Sequence, residues 1–506
     1  MPKSATLAVP AVTSSATEAD VSAAVSVSIP GSEKGLPLRL GVLTEQIPPA
    51  LVDEAVADAG RLQRRSRLLP ARAVVYFVLG LCLFSAADSA GPPGYRSVLR
   101  SLTHGLRPVC GLRLPTSAAL TRARQRLGAA PLQALFARVR GPLVAAGTPG
   151  TFAFGRRIVA WDGTGIDTAD TPANAETFGR AGAAGHPQLR LLALIECGTH
   201  AVLAAAFDGF HAASEHVLAR RVLDGLRPGM LLLADRNFPG HQLWGLATGT
   251  GADLAWRIKK NHVFVPVRRL PDGSFLSVMG TPAENVRYGQ ARAAGRPLPG
   301  PPAGHPVRII EYTITVSAAD GGRRIEPFRL VTSLLDPAEA PAAEVAALYH
   351  QRWESELSYG ELKTRLRGAA VILRSRSPEL VRQEMFAFLV VYQALCALRA
   401  CAAQTAGIDP DRISFTITVR LARDQASHQA ASSPASLRRA CQQTITDLLE
   451  DLLPARRSRS YQRIKRPAKN TYPTRKHDHV RPPSKVSYHL TVTGDRPYLG
   501  RHLNDH

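Results

Sequence analysis

The stretch RRIVAWDGT, residues 156–164, is a short apolar run that stops at an aspartate followed by a glycine. A second run, MLLLA, ends in the same way at Asp235. Short apolar runs bounded by turn residues are typical of strands buried on both faces of an α/β sheet. The two runs therefore predict two neighbouring strands, each with an aspartate, Asp162 or Asp235, directly after its last buried residue.

The segments around these runs predict the rest of a sheet. Residues 188–197 and 200–207 are two apolar runs separated by Gly198 and Thr199, which favours a hairpin. Residues 214–226 begin with a serine cap and have helical spacing, and residues 252–259 are typical of a further strand. The predicted order is three strands, a helix, a strand, a helix and a strand, which indicates an α/β fold.

Carboxylates at the ends of neighbouring strands indicate a cation site. Open α/β sheets bind their ligands at this edge, and two like charges there repel each other unless a cation lies between them. Mg²⁺ is the cation best suited to carboxylate oxygens in such a place. An aspartate after a strand is, taken alone, more often a turn or cap residue. Four other acids therefore compete for the role: Asp167, Asp170, Glu196 and Asp253.

A long helix predicted from about residue 337 to 367 contains LYHQRWESELSYGELK, residues 348–363, with three glutamates. At 100° per residue, only one of them, Glu356, shares a stripe about 60° wide with a tyrosine and two cations. Glu354 and Glu361 fall on the opposite side. The alternative is simple salt bridging on a solvated helix, since an arginine lies one turn before Glu356. The other members of the stripe are Tyr349, Arg352 and Lys363.

The charge balance points to a polyanionic partner. The chain has 506 residues, and 63 Lys and Arg against 40 Asp and Glu give a net charge of +23. Fourteen arginines but one acid, Asp88, lie between residues 61 and 140. In the helix predicted within 115–128, Arg122 and Arg126 share one face, which favours contact with nucleic acid over a merely solvated face. Residues 456–485 hold eleven more Lys or Arg and one Asp.

These motifs resemble a known family. The intervals between Tyr349, Arg352, Glu356 and Lys363 match the Y-R-E-K signature of insertion-sequence-four-type DDE transposases at every step. The sequences WDGT and ADRNF are similar to the family's first and second catalytic aspartate motifs. The resemblance extends over about residues 38–420 and includes ARQRLG (123–128) and LRSRSPELVRQE (373–384).

The resemblance implies an RNase H-like mixed-sheet catalytic core with an inserted β-rich subdomain, preceded by a helical domain. Asp162, Asp235 and Glu356 would bind two Mg²⁺ ions, with Mn²⁺ as a substitute, for hydrolysis and strand transfer. By the same resemblance, three residues would contact the DNA end: Tyr349, Arg352 and Lys363. Phe328 matches an aromatic that stacks on a flipped base in some relatives, where the best-studied residue is tryptophan. A core phenylalanine in a strand is the competing interpretation.

The predicted boundaries divide the chain into five parts. A disordered segment covers 1–34, a helical basic DNA-binding domain 35–148, and the RNase H-like core 149–260 with 329–405. A β-rich insertion covers 261–328, and a basic, partly disordered C-terminal region covers 406–506. Six cysteines without zinc-ligand spacing predict reduced thiols.

The expected function is cut-and-paste transposition in the bacterial cytoplasm, at the nucleoid, by a homodimer that binds double-stranded element ends and target DNA. The apolar runs 73–84 and 385–398 predict buried helices rather than membrane spans. Two alternatives remain: a catalytically silent DNA-binding protein derived from a transposase, and a structure-specific nuclease on the same core.

Overall fold

The computed structural model describes most of the chain outside its two ends. The predicted disordered segment 1–34 and most of the basic segment 456–485 lie outside the described residues, as do Arg352 and Cys110. The side chains of 316–318, 323–324, 353–355 and 486–488 are also not described. The described ranges are 36, 38–63, 67–86, 92–104, 114–181, 185–259, 262–297, 300, 303–318, 323–349, 353–368, 371–428, 433–454 and 486–493.

The N-terminal part is helical, as predicted. The run 73–84 forms most of a helix in which nearly every side chain is buried, because it is apolar on all sides. The predicted arginine-bearing helix has its expected caps: Thr116 accepts a hydrogen bond from Ala119 N, and Gly128 ends the helix with a φ of 71°. The α-helices among the described residues of this part are α1 (Pro49–Asp58), α2 (Ala71–Leu83), α3 (Tyr95–Leu102), α4 (Ser117–Leu127) and α5 (Ala130–Val139).

The α/β core has the predicted order of elements, with two additions that were not predicted: the short strand β1 and the helix α6. Its central strands run in the order β4-β3-β2-β5-β6, with β2, β3 and β4 antiparallel and with β5 and β6 parallel to β2. This is the expected RNase H-like arrangement. The elements are β1 (Phe152–Ala153), β2 (Arg156–Asp167), α6 (Pro172–Phe178), β3 (Gln188–Glu196), β4 (Val202–Gly209), α7 (Glu215–Arg221), β5 (Met230–Ala234), α8 (His241–Thr248) and β6 (Asp253–Arg257).

Strand β2 does not stop at Asp162, contrary to the prediction from the apolar run. It continues to Asp167, because the antiparallel strand β3 pairs with it from Val159 to Asp167. The parallel neighbour β5 pairs only with residues 157–160. Asp162 therefore lies at the end of the parallel pairing and in the middle of the antiparallel pairing.

The insertion is continuous with the core sheet. Strand β10 pairs with β6 on one side and with β9 on the other, so that one eleven-stranded sheet spans both parts. A short C-terminal strand also pairs with β9. The insertion contains β7 (Arg268–Arg269), β8 (Phe275–Met279), α9 (Pro282–Ala293), β9 (His305–Ala318) and β10 (Arg323–Thr332), and the C-terminal strand is β11 (Val486–Val492).

The helix predicted from about 337 to 367 differs from the structure at both ends: helix begins only at Ala342, and the last part is a π-helix over Glu361–Leu366. The α-helical segments are α10 (Ala342–Tyr349) and α11 (Trp353–Gly360), and residues 350–352 between them lie outside the described residues. The hydrogen bond from Arg367 N to Leu362 O, 3.1 Å, has the i→i+5 spacing of a π-helix. Residues in such a wider turn advance by less than 100°, so positions after Glu361 lose the phase of an ideal α-helix.

The C-terminal half of the molecule is largely helical. The run 385–398 lies within the helix Pro378–Ala406, which by length and composition could cross a membrane, but 83% of its most apolar window is buried inside the protein. The region after residue 406, for which no regular period was predicted, contains two helices and the β11 strand. The helix Pro378–Ala406 is α12, and the two helices after residue 406 are α13 (Phe415–His428) and α14 (Pro434–Glu450).

Candidate active site

The two predicted aspartates lie side by side. In the parallel pairing of β2 with β5, Ala160 is opposite Leu233, and Asp162 and Asp235 each follow two residues later. Neighbouring strands are about 4.8 Å apart, and residues two apart share a face. The register of the two strands therefore places both carboxylates at one edge and on one face of the sheet. Asp162 Oδ1 accepts a hydrogen bond from Gly163 N, and Asp235 Oδ1 accepts one from Asn237 N, both 2.8 Å.

Helix α10 covers this face beside the end of β5. Tyr349, at the last position of α10, is 4% exposed, and its hydroxyl donates a 3.1 Å hydrogen bond to the carbonyl of Ala234. That carbonyl immediately precedes Asp235. The buried tyrosine thus fixes the end of α10 beside the aspartate, and its predicted contact with DNA stays a prediction.

Helix α11 packs against β2 next to Asp162. The Tyr359 hydroxyl donates to the carbonyl of Asp162 and accepts a 3.0 Å hydrogen bond from Ala193 N on β3. Burial and the nearby Asp162 carboxylate raise the pKa of Tyr359 well above its usual value. Glu356 is exposed and lies one turn before Tyr359, so the tyrosine brings the glutamate's helix to the strand that bears Asp162.

The π-helix brings the side chain of Lys363 to strand β2. Lys363 Nζ donates a 2.9 Å hydrogen bond to Thr164 Oγ1, two residues beyond Asp162 and on the same face. Burial lowers the pKa of Lys363. The change of helix type therefore does not move Lys363 away from the aspartates. Arg352, the remaining member of the predicted stripe, lies outside the described residues.

The donor set suits a hard divalent cation. Asp162 and Asp235 present carboxylate oxygens from adjacent strands, and Glu356 lies on the helix packed beside them, which are the ligands Mg²⁺ prefers. Within the described ranges, however, no three His, Cys, Asp or Glu side chains are grouped closely enough to hold a metal ion. The two aspartates therefore lie on neighbouring strands and Glu356 lies on the adjoining helix, but the three carboxylates are not close enough together to form a metal site.

The four competing acids have other partners. Arginine side chains bond three of them, and Gln188 donates a 2.8 Å hydrogen bond to the fourth, Asp167. Ion pairing of this kind explains an acid after a strand without a catalytic role. The three ion pairs are Arg180–Asp170, Arg157–Glu196 and Arg156–Asp253.

Glu361 lies away from the predicted stripe, but it is a buried anchor rather than a solvated glutamate. Its carboxylate is 2.8 Å from His200 Nδ1, accepts a 3.0 Å hydrogen bond from Tyr392 and forms an ion pair of 3.1 Å with Arg399. Although burial opposes the charge, Arg399 and His200 lower the pKa of Glu361 to about 2. These partners come from the β3–β4 turn and from α12, so no helical period within residues 348–363 could reveal them.

Glu215 is a second acidic residue that the sequence analysis did not select. It opens α7 after the Ser214 cap, and its carboxyl group lies over Gly163, where a Cβ would be 2.5 Å from Oε1. Its only sequence signal is a position after a helix cap, which many acids share because they favour helix N-termini.

The arginine face predicted on α4 is present. Arg122 and Arg126 are exposed, whereas Arg124 is fully buried and bonds Gln383 and Ser375, each at 2.9 Å. Partial burial and the guanidinium groups of Arg67 and Arg122 lower the pKa of Arg126. Like charges gathered on one exposed face suit a polyanion, while Arg124 joins α4 to α12 of the core.

Phe328 lies in β10 opposite Tyr312 and is half-buried. The two rings stack at 5.3 Å with an interplanar angle of 14°, and the Arg257 guanidinium carbon lies 4.2 Å from the centre of the Phe328 ring. This packing agrees with the interpretation of Phe328 as part of the core. Its role toward DNA stays a prediction.

Comparison with known proteins identifies the family. Residues 37–137 match the model of the family described as Insertion element 4 transposase N-terminal, and residues 153–393 match that of the Transposase DDE domain. The transposase InsG for insertion sequence element IS4 of Escherichia coli is 28% identical over 452 residues, which cover 85% of this chain and 93% of InsG. A cryo-EM structure of the piggyBac transposase synaptic complex with hairpin DNA covers 80% of this chain and 84% of its own, with 9% identity and a TM-score of 0.42.

Proposed function

Because the chain belongs to the insertion-sequence-four-type DDE transposases, we propose that it moves its own element by cut-and-paste transposition. It would bind the terminal inverted repeats of the element, cleave the ends by phosphodiester hydrolysis and join the 3′-hydroxyl ends to target DNA. It would act as a synaptic homodimer in the bacterial cytoplasm, at the nucleoid. The observation that carries the proposal is the pairing of Asp162 and Asp235 beside the helix of Glu356.

Divalent metal ions serve DDE transposase domains generally, and the proposed ligands here are Asp162, Asp235 and Glu356. Two bound Mg²⁺ ions, or Mn²⁺ in their place, would activate the attacking water or 3′-hydroxyl and stabilise the departing oxygen. The protein's own part is to orient these carboxylates. Tyr349 and Tyr359 do so through backbone carbonyls, at Ala234 and at Asp162.

Two cations and a tyrosine would hold the DNA end beside the carboxylates. Lys363 and Arg352 are proposed to contact phosphates near the cleaved end, and Tyr349 would support the same end. Lys363 is suited to this role because its ammonium group donates a hydrogen bond to Thr164, which follows Asp162 by two residues on the same face of β2. Phe328 is a weaker candidate for base stacking, because Arg257 and Tyr312 already pack against it.

The decisive experiment uses purified protein, Mg²⁺ and labelled duplex DNA that carries the inverted repeats flanking the gene. Cleaved ends and joined products are expected with Mg²⁺ or Mn²⁺ and not after chelation with EDTA. Binding without cleavage in either metal would indicate the catalytically silent alternative. Cleavage without joining would indicate the nuclease.

The arginine face of α4 gives a separate prediction about DNA binding. Arg122→Gln/Arg126→Gln is expected to flatten the dependence of log affinity on log salt by about 0.9 for each lost phosphate contact, since fewer counterions are released. Fluorescence anisotropy with the element-end duplex at several salt concentrations measures the slope. The matched control is Arg138→Gln, whose arginine bonds Asp58. An unchanged slope in the double variant would show that this face is only solvated.

A further inference from the structure

Arg367, which directly follows the π-helix, is a buried cation without an evident partner. Arg367 is 7% exposed, and within the described structure neither its Nε nor its Nη1 has a hydrogen-bond partner. Two fully buried arginines among the described residues, Arg124 and Arg308, are by contrast hydrogen-bonded by side-chain and backbone oxygens. An unpaired buried charge is strongly unfavourable, so a missing anion is the simplest explanation for Arg367.

The neighbours of Arg367 strengthen this explanation. Lys363 lies one turn earlier on the same helix, and after burial it is the charge of Arg367 that most lowers the pKa of Lys363. Two adjacent cations in a half-buried place repel each other unless an anion lies between them. The two carboxylates that act on Arg367 are Asp167 and Glu384, and both have other hydrogen-bond donors, Gln188 and Ser375 respectively. No ion pair of Arg367 or Lys363 occurs among the described residues.

The place of the two cations identifies the anion. Lys363 Nζ is bonded to Thr164, which follows Asp162 by two residues on one strand face, or about 7 Å. An anion held there would be the immediate neighbour of the group that reacts at Asp162 and Asp235. In a protein that acts on DNA ends, a phosphate next to the reacting phosphate has this position.

We propose that Lys363 and Arg367 together form a subsite for one backbone phosphate beside the scissile phosphate, with Arg367 as a DNA-binding residue. This inference rests on the proposed function and extends it by one contact. The free protein would carry an unpaired guanidinium group that becomes paired only when the DNA end binds. Arg367 would therefore strengthen DNA binding while it destabilises the DNA-free protein.

The test compares Arg367→Met with wild type in two measurements. In the DNA-free protein, Arg367→Met is expected to raise the melting temperature, because an apolar side chain of similar length replaces an unpaired buried charge. With the element-end duplex, it is expected to weaken binding and to flatten the salt dependence of log affinity by less than about 0.9, the value for one whole phosphate contact, because Lys363 remains at the same phosphate. Arg367→Lys, which keeps the charge, is expected to retain most of the slope.

Arg423 provides the matched control. Arg423 is a residue of α13, and its guanidinium group donates to three backbone carbonyls near α2 and the π-helix: Leu83, Ala86 and Leu366. Arg423→Met is therefore expected to lower the melting temperature and to leave the salt slope unchanged.

A second measurement remains valid whatever the stability of the variants. Single methylphosphonate groups are placed along the terminal nucleotides of the duplex, each removing one phosphate charge. At the contacted phosphate, the substitution should weaken binding by wild type and by Arg367→Lys more than binding by Arg367→Met, which retains only Lys363 there. An unchanged salt slope in Arg367→Met, or equal losses for wild type and Arg367→Met at every position, overturns the subsite. If wild type itself neither binds nor cleaves the ends, the proposed function fails instead.

Discussion

Glu356→Gln is expected to reduce cleavage of element ends by on the order of a thousandfold while leaving their binding almost unchanged. Glutamine keeps the size of the side chain but removes the charge that would complete a metal site with Asp162 and Asp235, and both stages of the proposed reaction would depend on that site. Glu356 is exposed on α11, so the substitution does not place an amide in the core. Single-turnover cleavage and electrophoretic mobility shift on the same labelled duplex separate the two effects.

Glu354→Gln is the matched control for this prediction. It changes the same residue type on the same helix two positions earlier, about 200° around the axis. We expect this variant to cleave and join at the wild-type rate. Normal cleavage by Glu356→Gln together with an inactive Glu354→Gln would contradict the assignment of Glu356 and the argument from helix geometry.

Glu361→Leu is expected to lower the free energy of unfolding by about 3–5 kcal/mol, because it leaves the buried Arg399 without its carboxylate. Glu361→Leu/Arg399→Met should recover much of this loss, since no unpaired charge remains. Urea-induced unfolding reports the difference through the fluorescence of the buried Trp161, Trp244 and Trp256. A loss below about 1 kcal/mol in the single variant would show that the ion pair is not a stabilising anchor.

The same pair predicts a dependence on pH. The pKa of Glu361 in the folded protein is about 2, below its ordinary value of 4.5, because Arg399 and His200 favour the charged form. A depressed pKa stabilises the folded state fully above pH 4.5, and this stabilisation is lost as the pH falls toward 2. The difference in stability between wild type and Glu361→Gln should therefore shrink across this interval, and a difference that stays constant would contradict the assigned charge state.

The sequence predicted the core correctly where the signal was local. Apolar runs determined the strands that carry Asp162 and Asp235, since a strand buried on both faces must be apolar along its length. Caps such as Thr116 and Gly128 determined the ends of α4. The N-terminal helices were likewise visible from composition and turn signals alone.

The sequence was misleading where neighbours set the length or phase of an element. Strand β2 continues past Asp162 because β3 supplies hydrogen bonds that the residues of β2 do not reveal. The last part of the helix predicted around Glu356 is a π-helix. The buried partners of Glu361 lie on α12 and on the β3–β4 turn, up to 161 residues away in the sequence. A rotation of 100° per residue along the sequence predicts neither a π-helix nor partners so far away in the chain.

By itself, the sequence determined the family, the α/β core and the identity of the three candidate carboxylates, because these follow from residue type and spacing. Only the tertiary structure decided how they are presented. The strand register places Asp162 beside Asp235, Tyr359 joins the helix of Glu356 to β2, and the π-helix brings Lys363 to Thr164. The physical reason is that burial and pairing depend on partners distant in the chain. Arg124 is buried and Arg122 exposed on one helix, although the local sequence offers both the same chemistry.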